Sequence, residues 1–387
     1  MKLEGVTVVP GYGAPVITDA TVTIDDQGVL TQIGAGPPGE LYLVPAAVDL
    51  HLDNLVERRR PRATVALEPA TVLAVLDAEC AAAGIGTVCV AVRCEDSPRK
   101  GIAIADAPVL AQTIERLAPV LACDWRLHAR VELTDDGALT ALRAVLAKST
   151  RVAMISMIET TLARSRFATL AELREFYSAD WGVSEAEVED VFRVSPERDR
   201  LVAQRRTEVA DLARAHGITL ASHDDRTPEH IRAGHAAGAT VAEFPLTLTA
   251  AEQARDLGMT VVLGAPNAVR GRSTSSANLL VADAVRAGVC DVLCSDYLPS
   301  SLHLATQVLD ANGAAELAHA VDLISTRPAA ILGVSQPGIA VGAPLTAALY
   351  RRCGTTLVGE ALWRQGRQTF ARMPVPSPVA STELLPR

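Results

Sequence analysis

Aromatic residues make up only 3% of this 387-residue chain, and its seven cysteines include no C-x-x-C pair. With so few rings, Ala, Val and Leu must fill the core. The odd set of scattered thiols (Cys80, Cys89, Cys94, Cys123, Cys290, Cys294 and Cys353) reads as reduced and mostly buried, the pattern of a cytoplasmic protein. No apolar run reaches the length of a bilayer span, and no apolar signal core follows Met1-Lys2-Leu3-Glu4, so a soluble protein is expected. Gly11-Tyr12-Gly13 lacks a third glycine and opens no helix, and no Gly-rich phosphate turn follows any early strand, which disfavours a doubly wound dinucleotide fold. Net positive charge is missing too: the formal balance is −9, which argues against a nucleic-acid or anionic-membrane surface. A site for an anionic substrate would need a local basic patch.

What is present is a globular composition, 49% apolar and 21% charged, in a chain long enough for one large barrel with a small companion domain. Residues 1–44 read as short strands (Val6–Val9, Ala20–Ile24, Leu30–Ile33) between Gly and Pro turns. From 45 to 334, apolar strands alternate with helix-length segments in eight units, the period of a (β/α)8 TIM barrel. A charged, helix-prone stretch at about 161–200 interrupts the rhythm as an insertion over the site. A last long helix is expected from Leu302 to Leu332. Residues 335–387 return to short strands, so both chain ends are expected to pair into one small β-sandwich.

The stretch Val44 to Asn54 organises the rest. Side chains two apart on a strand share a face, so Asp49, His51 and Asp53 point the same way, and the last two sit at the C-terminal end, where a parallel barrel builds its active site. Ligand-type residues recur at later strand ends. His128-Ala129-Arg130-Val131-Glu132 alternates three polar groups onto one face, each costly to bury unless paired or metal-bound. His223 follows an apolar strand directly, with Asp225 available as a helix cap. Glu243, Asn267 and Asp296 end three further strands. His51, Asp53, Glu132, His223 and Asp296 are the candidate metal ligands, for one or two divalent ions, zinc or manganese, which would acidify a bound water. Asp296 is the candidate proton acceptor. Arg62, Asn267, Arg270, Arg272, Glu243 and Tyr297 are assigned to substrate, because guanidinium forks suit phosphoryl oxygens. Whether Glu243 and His128 touch metal or substrate is left open.

The strings His51-Leu-Asp-Asn-Leu with Pro61-Arg62, Ser222-His-Asp-Asp, Ala242-Glu-Phe-Pro, Gly264-Ala-Pro-Asn-x-Val-Arg-Gly271 and Ser295-Asp-Tyr-x-Pro-x-Ser301 resemble the amidohydrolase superfamily. Within it they resemble the diphosphatase branch that serves the carbon–phosphorus lyase pathway. The likeness runs almost end to end, to Trp363-Arg-Gln-Gly-Arg367. It implies a metal-dependent barrel that releases pyrophosphate from a 5-triphosphorylated ribose phosphonate. Two positions depart from that pattern. Ile158-Glu159-Thr160-Thr161-Leu162 stands where the branch has Met-Asp-His, and Thr274 stands where it has His. Cleavage of a C–N bond in a cyclic amide or N-acyl compound is the competing enzymatic reading, and a non-catalytic partner protein the third. A homodimer is compatible with all of them.

Overall fold

The structure, a computed structural model, describes residues 1–372 apart from 63, 98–100, 162–163, 166, 168, 193–194 and 274–277. Alternation of buried and exposed residues builds the first strands. β1 (Lys2–Val8), β2 (Ile17–Ile24) and β3 (Leu30–Ala35) form an antiparallel meander, and β4 (Leu41–Pro45) runs parallel to β1 on its other side. Pro45 ends β4, and after Ala46 the chain enters a second sheet. The apolar run that reads as one stretch in the sequence therefore serves two sheets.

That second sheet is the barrel: β5 (Ala47–Leu52), β6 (Ile85–Cys94), β7 (Asp124–Glu132), β8 (Val152–Ile158), β9 (Thr219–His223), β10 (Val241–Glu243), β11 (Thr260–Gly264) and β12 (Val292–Cys294). All neighbours pair in parallel and in sequence order. The last strand meets the first: the Asp296 amide donates to the His51 carbonyl at 2.8 Å, and the Asp53 amide donates back to the Asp296 carbonyl at 2.5 Å. Asp49 secures the same seam. Its carboxylate accepts the Ser295 amide at 3.0 Å and the Ser295 hydroxyl. The carboxylate expected to share a face with His51 thus closes the barrel instead of joining the site.

Helices cover the barrel with recognisable start and stop signals. The helix Pro69–Ala82 opens on proline and is followed by Gly84 at φ +73, where any Cβ would lie 1.9 Å from the Tyr350 hydroxyl. Thr227, not Asp225, caps the helix Pro228–Ala236, its side chain accepting the His230 amide. The segment expected as one helix from Leu302 to Leu332 is three, Ser301–Ala311, Leu317–Asp322 and Thr326–Leu332, the first ending before Gly313 at φ +68. Between β8 and β9 the helices Leu170–Trp181 and Glu185–Phe192 carry their own apolar cluster, with Leu173, Val188 and Phe192 at its centre.

β13 (Ala347–Cys353), β14 (Thr356–Arg364) and β15 (Arg367–Ala371) complete the first sheet, in the order β15-β14-β13-β4-β1-β2-β3. The sheet curls so that turns near its two edges meet: the Leu345 amide donates to the Gly28 carbonyl and the Gly366 amide to that of Leu345. Its inner face buries Val6, Val22, Leu43, Leu349 and Trp363. Both chain ends thus build one small all-β layer beside the barrel. No helix among the described residues is long and apolar enough to cross a membrane.

Candidate metal centre and active site

Three non-glycine residues within two positions of barrel-strand ends adopt left-handed backbone: Asp224 after His223, Phe244 after Glu243, and Asp296 after Ser295, with φ of 53°, 54° and 53°. Such conformations are costly for L-residues and persist where the surroundings enforce them. Here they turn functional side chains to the C-terminal mouth. The Phe244 ring stands edge-on to both His51 and His223, with centroids 5.1 and 5.3 Å away.

Glu243 is the hub. Its Oε1 lies 2.7 Å from His51 Nδ1, and its Oε2 lies 2.8 Å from His223 Nδ1. Each imidazole donates its Nδ1–H to the carboxylate, so both Nε2 lone pairs face outward on the same side. This is the way proteins orient metal-binding histidines. The Ser156 hydroxyl donates to Oε2 at 2.7 Å and also contacts His128 Nε2. Burial opposes the Glu243 charge, but His128 and His51 hold its pKa well below the carboxylate range. Burial would also push His51 down. Glu243 and Asp53 more than reverse this and lift it to about 10, so an added positive charge at this ring is favoured. His128 stays neutral, pushed down to about 3 by burial.

On the outward side, Asp53 Oδ2 lies 3.9 Å from His51 Nε2. Asp224 Oδ2 lies 3.8 Å from His223 Nε2. Asp53 is itself gripped by Arg93, through Nε at 3.1 Å and Nη2 at 2.6 Å, and by Arg130. Burial opposes its charge, yet the two guanidiniums hold its pKa well below the usual range. Arg130 also spans the histidines, its nitrogens 3.4 Å from His51 Nε2 and 3.3 Å from His223 Nε2. Asp296 is half-buried beside this group, and burial raises its pKa.

The donor set fits a divalent cation. Two imidazoles have their second nitrogen fixed by one carboxylate, a second carboxylate, Asp53, stands beside them, and a positive guanidinium already lies between the two rings. His51, His128 and Glu243 form a second, inner group, fully buried, whose ligand atoms all lie within 4.8 Å of one another. It too has the make-up of a metal site, but its atoms are engaged with each other and with Ser156.

The remaining sequence candidates scatter. Glu132 is buried, and its carboxylate accepts from the Thr134 amide and hydroxyl and from the Thr160 amide and hydroxyl, at 2.5 to 3.1 Å. Its pKa is raised by burial, against those bonds. Thr160, standing where the family pattern has His, is thus a partner of Glu132. Asn267 is half-buried on the short helix Ala265–Arg270 that follows β11, while Arg62, Arg270 and Arg272 are exposed. Tyr297 is 46% exposed, its carbonyl accepting from Asn54 Nδ2. Thr274 lies outside the described residues.

Arg93 and Ser156 were not picked out by sequence. The only signal for either is a polar residue interrupting an otherwise apolar strand. A further pair, Arg164 and Arg206, ties the excursion down: Glu159 accepts from both, at 3.1 and 2.5 Å, and Arg164 also binds the buried Asp225.

The fold is a closed parallel barrel beside a small all-β layer, with a carboxylate–histidine group at its strand ends. Solved structures sharing the fold include 5-methylcytosine deaminase from Klebsiella pneumoniae, 13% identical with TM-score 0.59 over 97% of this chain and 98% of that one. N-acetyl-D-glucosamine-6-phosphate deacetylase from Mycobacterium smegmatis is 17% identical, with TM-score 0.56 over 95% and 99%. D-hydantoinase from Bacillus sp. AR9 is 14% identical, with TM-score 0.55 over 95% and 94%. No family model matches the chain. A curated relative is 32% identical over 338 residues, 85% of this chain and 88% of its own length: alpha-D-ribose 1-methylphosphonate 5-triphosphate diphosphatase of Escherichia coli (strain K12). The chain belongs to that diphosphatase family.

Proposed function

We propose that the protein is a metal-dependent hydrolase that converts alpha-D-ribose 1-methylphosphonate 5-triphosphate and water to the 5-phosphate and pyrophosphate in phosphonate catabolism. The observation that carries this reading is family membership at 32% identity across most of both chains. The cation, zinc or manganese, is assigned to His51 Nε2, His223 Nε2 and Asp53, with Asp296 alongside. A second ion would require the inner His51–His128–Glu243 group to give up its hydrogen bonds. When bound, the cation would acidify a water and neutralise charge developing on phosphoryl oxygen.

The chain's own residues do the rest. Glu243 holds both imidazoles in the tautomer that presents Nε2. Asp296, its basicity raised by burial, takes the proton as the water oxygen bonds to phosphorus and the α–β anhydride bond breaks. The departing pyrophosphate carries away the bond electrons. Arg93, beside Asp53, faces the charge of the transferring phosphoryl group. The exposed Arg62, Arg270 and Arg272 form a positive rim on the strand C-terminal side, drawing a polyanion to a chain of net charge −9. Asn267 and Tyr297 border the mouth. Glu132, with Thr134 and Thr160, shapes the wall next to it. We assign the protein to the cytoplasm, with a phosphorylated small molecule as its partner, no nucleic acid, and a homodimer as the assembly to test.

The test is a pyrophosphate-release assay on the triphosphate together with metal analysis of protein never exposed to chelator. One pyrophosphate per 5-phosphate formed, with at least one metal equivalent, is expected. Turnover of uncharged hydantoins or N-acyl amino acids, with no pyrophosphate from any triphosphate, overturns the proposal.

A further inference from the structure

Arg130 stands where its charge is least expected if a metal is to bind. It is adjacent in register to Arg93, on neighbouring strands β7 and β6, and both side chains converge on Asp53. Arg93 alone takes both carboxylate oxygens, so Asp53 does not need Arg130 to stay in place. What Arg130 adds is its reach to the two imidazoles, 3.4 Å to His51 Nε2 and 3.3 Å to His223 Nε2. A guanidinium has no acceptor capacity, so each contact needs the Nε2 lone pair, for which a proton, the guanidinium and a metal ion are alternatives. Those are the lone pairs that a divalent cation would use.

We infer that Arg130 is an internal competitor of the metal: its guanidinium and a divalent ion claim the same three acceptors, His51 Nε2, His223 Nε2 and Asp53, and one excludes the other. The inference rests on the assignment of the metal to this group, not on the identity of the substrate. Two consequences follow from charge alone. An ion entering the site must displace a unit positive charge from its own ligands, so metal is held less tightly than the histidine–carboxylate set would otherwise hold it. The displaced guanidinium remains tethered to β7 next to Arg93, at the open end of the barrel. There it exchanges a carboxylate for whatever anion is present, and a planar fork suits phosphoryl oxygens. Metal and anionic substrate therefore favour each other through one side chain, since the anion gives the expelled arginine somewhere to go. By linkage the assistance is mutual.

The experiment measures the metal dissociation constant of the purified holoenzyme by competition with a chromophoric chelator, using manganese and then zinc as the probe. The proteins compared are wild type, Arg130→Met and Arg130→Lys. Arg130→Met keeps length but removes both the charge and the fork, and is expected to hold metal tighter by about tenfold or more. Arg130→Lys keeps the charge but cannot span two imidazoles, and is expected to fall between. At saturating metal, Arg130→Met should show a raised KM for the triphosphate, so metal is held tighter while substrate is held more weakly, which a merely structural arginine would not produce. Metal held no tighter than in wild type by Arg130→Met, or by Arg130→Lys should the methionine variant melt early, overturns the inference. Tighter metal with no pyrophosphate from any triphosphate leaves the competition standing and removes the proposed reaction instead.

Discussion

His51 Nδ1 and Glu243 Oε1 lie 2.7 Å apart, although 192 residues separate them and they sit on strands β5 and β10 of the barrel. The same carboxylate receives His223 through its other oxygen. One side chain therefore sets the tautomer and tilt of both imidazoles. Glu243→Gln offers a single carbonyl oxygen to two Nδ1–H donors, so one ring must turn or change tautomer. Metal affinity is expected to fall 10- to 100-fold, measured by chelator competition, with the fold retained by circular dichroism. Unchanged affinity would mean that Glu243 contacts substrate instead of orienting ligands.

Asp296 is placed by backbone as well as by burial, its amide and carbonyl both bonded to β5 across the barrel seam. Asp296→Asn preserves shape and removes the proton acceptor. Turnover is expected to drop about 100-fold or more with metal content largely kept. Near-normal kcat in that variant would make Asp296 a seam residue only.

The sequence was most informative where one chemical rule decides the outcome. Alternation on Val44–Asn54 and on Leu127–Glu132 placed His51, Asp53 and His128 inside the barrel, because a strand has only two faces. It could not separate Asp49 from the site, since the same alternation serves a carboxylate that clamps Ser295. Glu132 reads as a ligand for the same reason, yet its oxygens are taken by Thr134 and Thr160, hydroxyls supplied by loops whose path no periodicity sets. The arginines were the hardest to read. Exposed Arg62, Arg270 and Arg272 stand out in the sequence because they follow motif strings. Arg93 is a lone charge in an apolar strand and Arg130 one of several polar residues on its own, and their meaning appears only when β6 and β7 lie in register against Asp53.

Rim and interior arginines should differ under salt. Arg270 is exposed, so its attraction for a polyanion is screened within a Debye length. Arg270→Ala is expected to lower kcat/KM for the triphosphate by less than about tenfold at low ionic strength, with the deficit fading as salt approaches 1 M. Arg93→Ala, which leaves Asp53 to Arg130 alone, should lose more, and its loss should persist in salt. A salt-independent deficit in Arg270→Ala would move Arg270 into direct substrate contact.

A final prediction lies away from the mouth. His303, on the helix Ser301–Ala311, is buried against Tyr350 with ring centroids 5.0 Å apart, and neither ring nitrogen has a hydrogen-bond partner among the described residues. Burial pushes its pKa down to about 4. In the unfolded chain the same imidazole titrates near ~6.5. Between these values the unfolded state binds more protons than the folded one, so stability rises with pH there. The group's contribution is fully present above about pH 6.5 and is lost as pH falls through the folded value, an effect on the order of 3 kcal/mol. His303→Phe keeps a ring of similar shape against Tyr350 and cannot be protonated. Urea unfolding at steps from pH 7.5 to pH 4 should show wild type losing stability faster than His303→Phe below pH 6.5, with the two curves parallel above it. Curves that stay parallel down to pH 4 would mean that the ring finds a proton acceptor in the folded protein and that burial does not govern its titration.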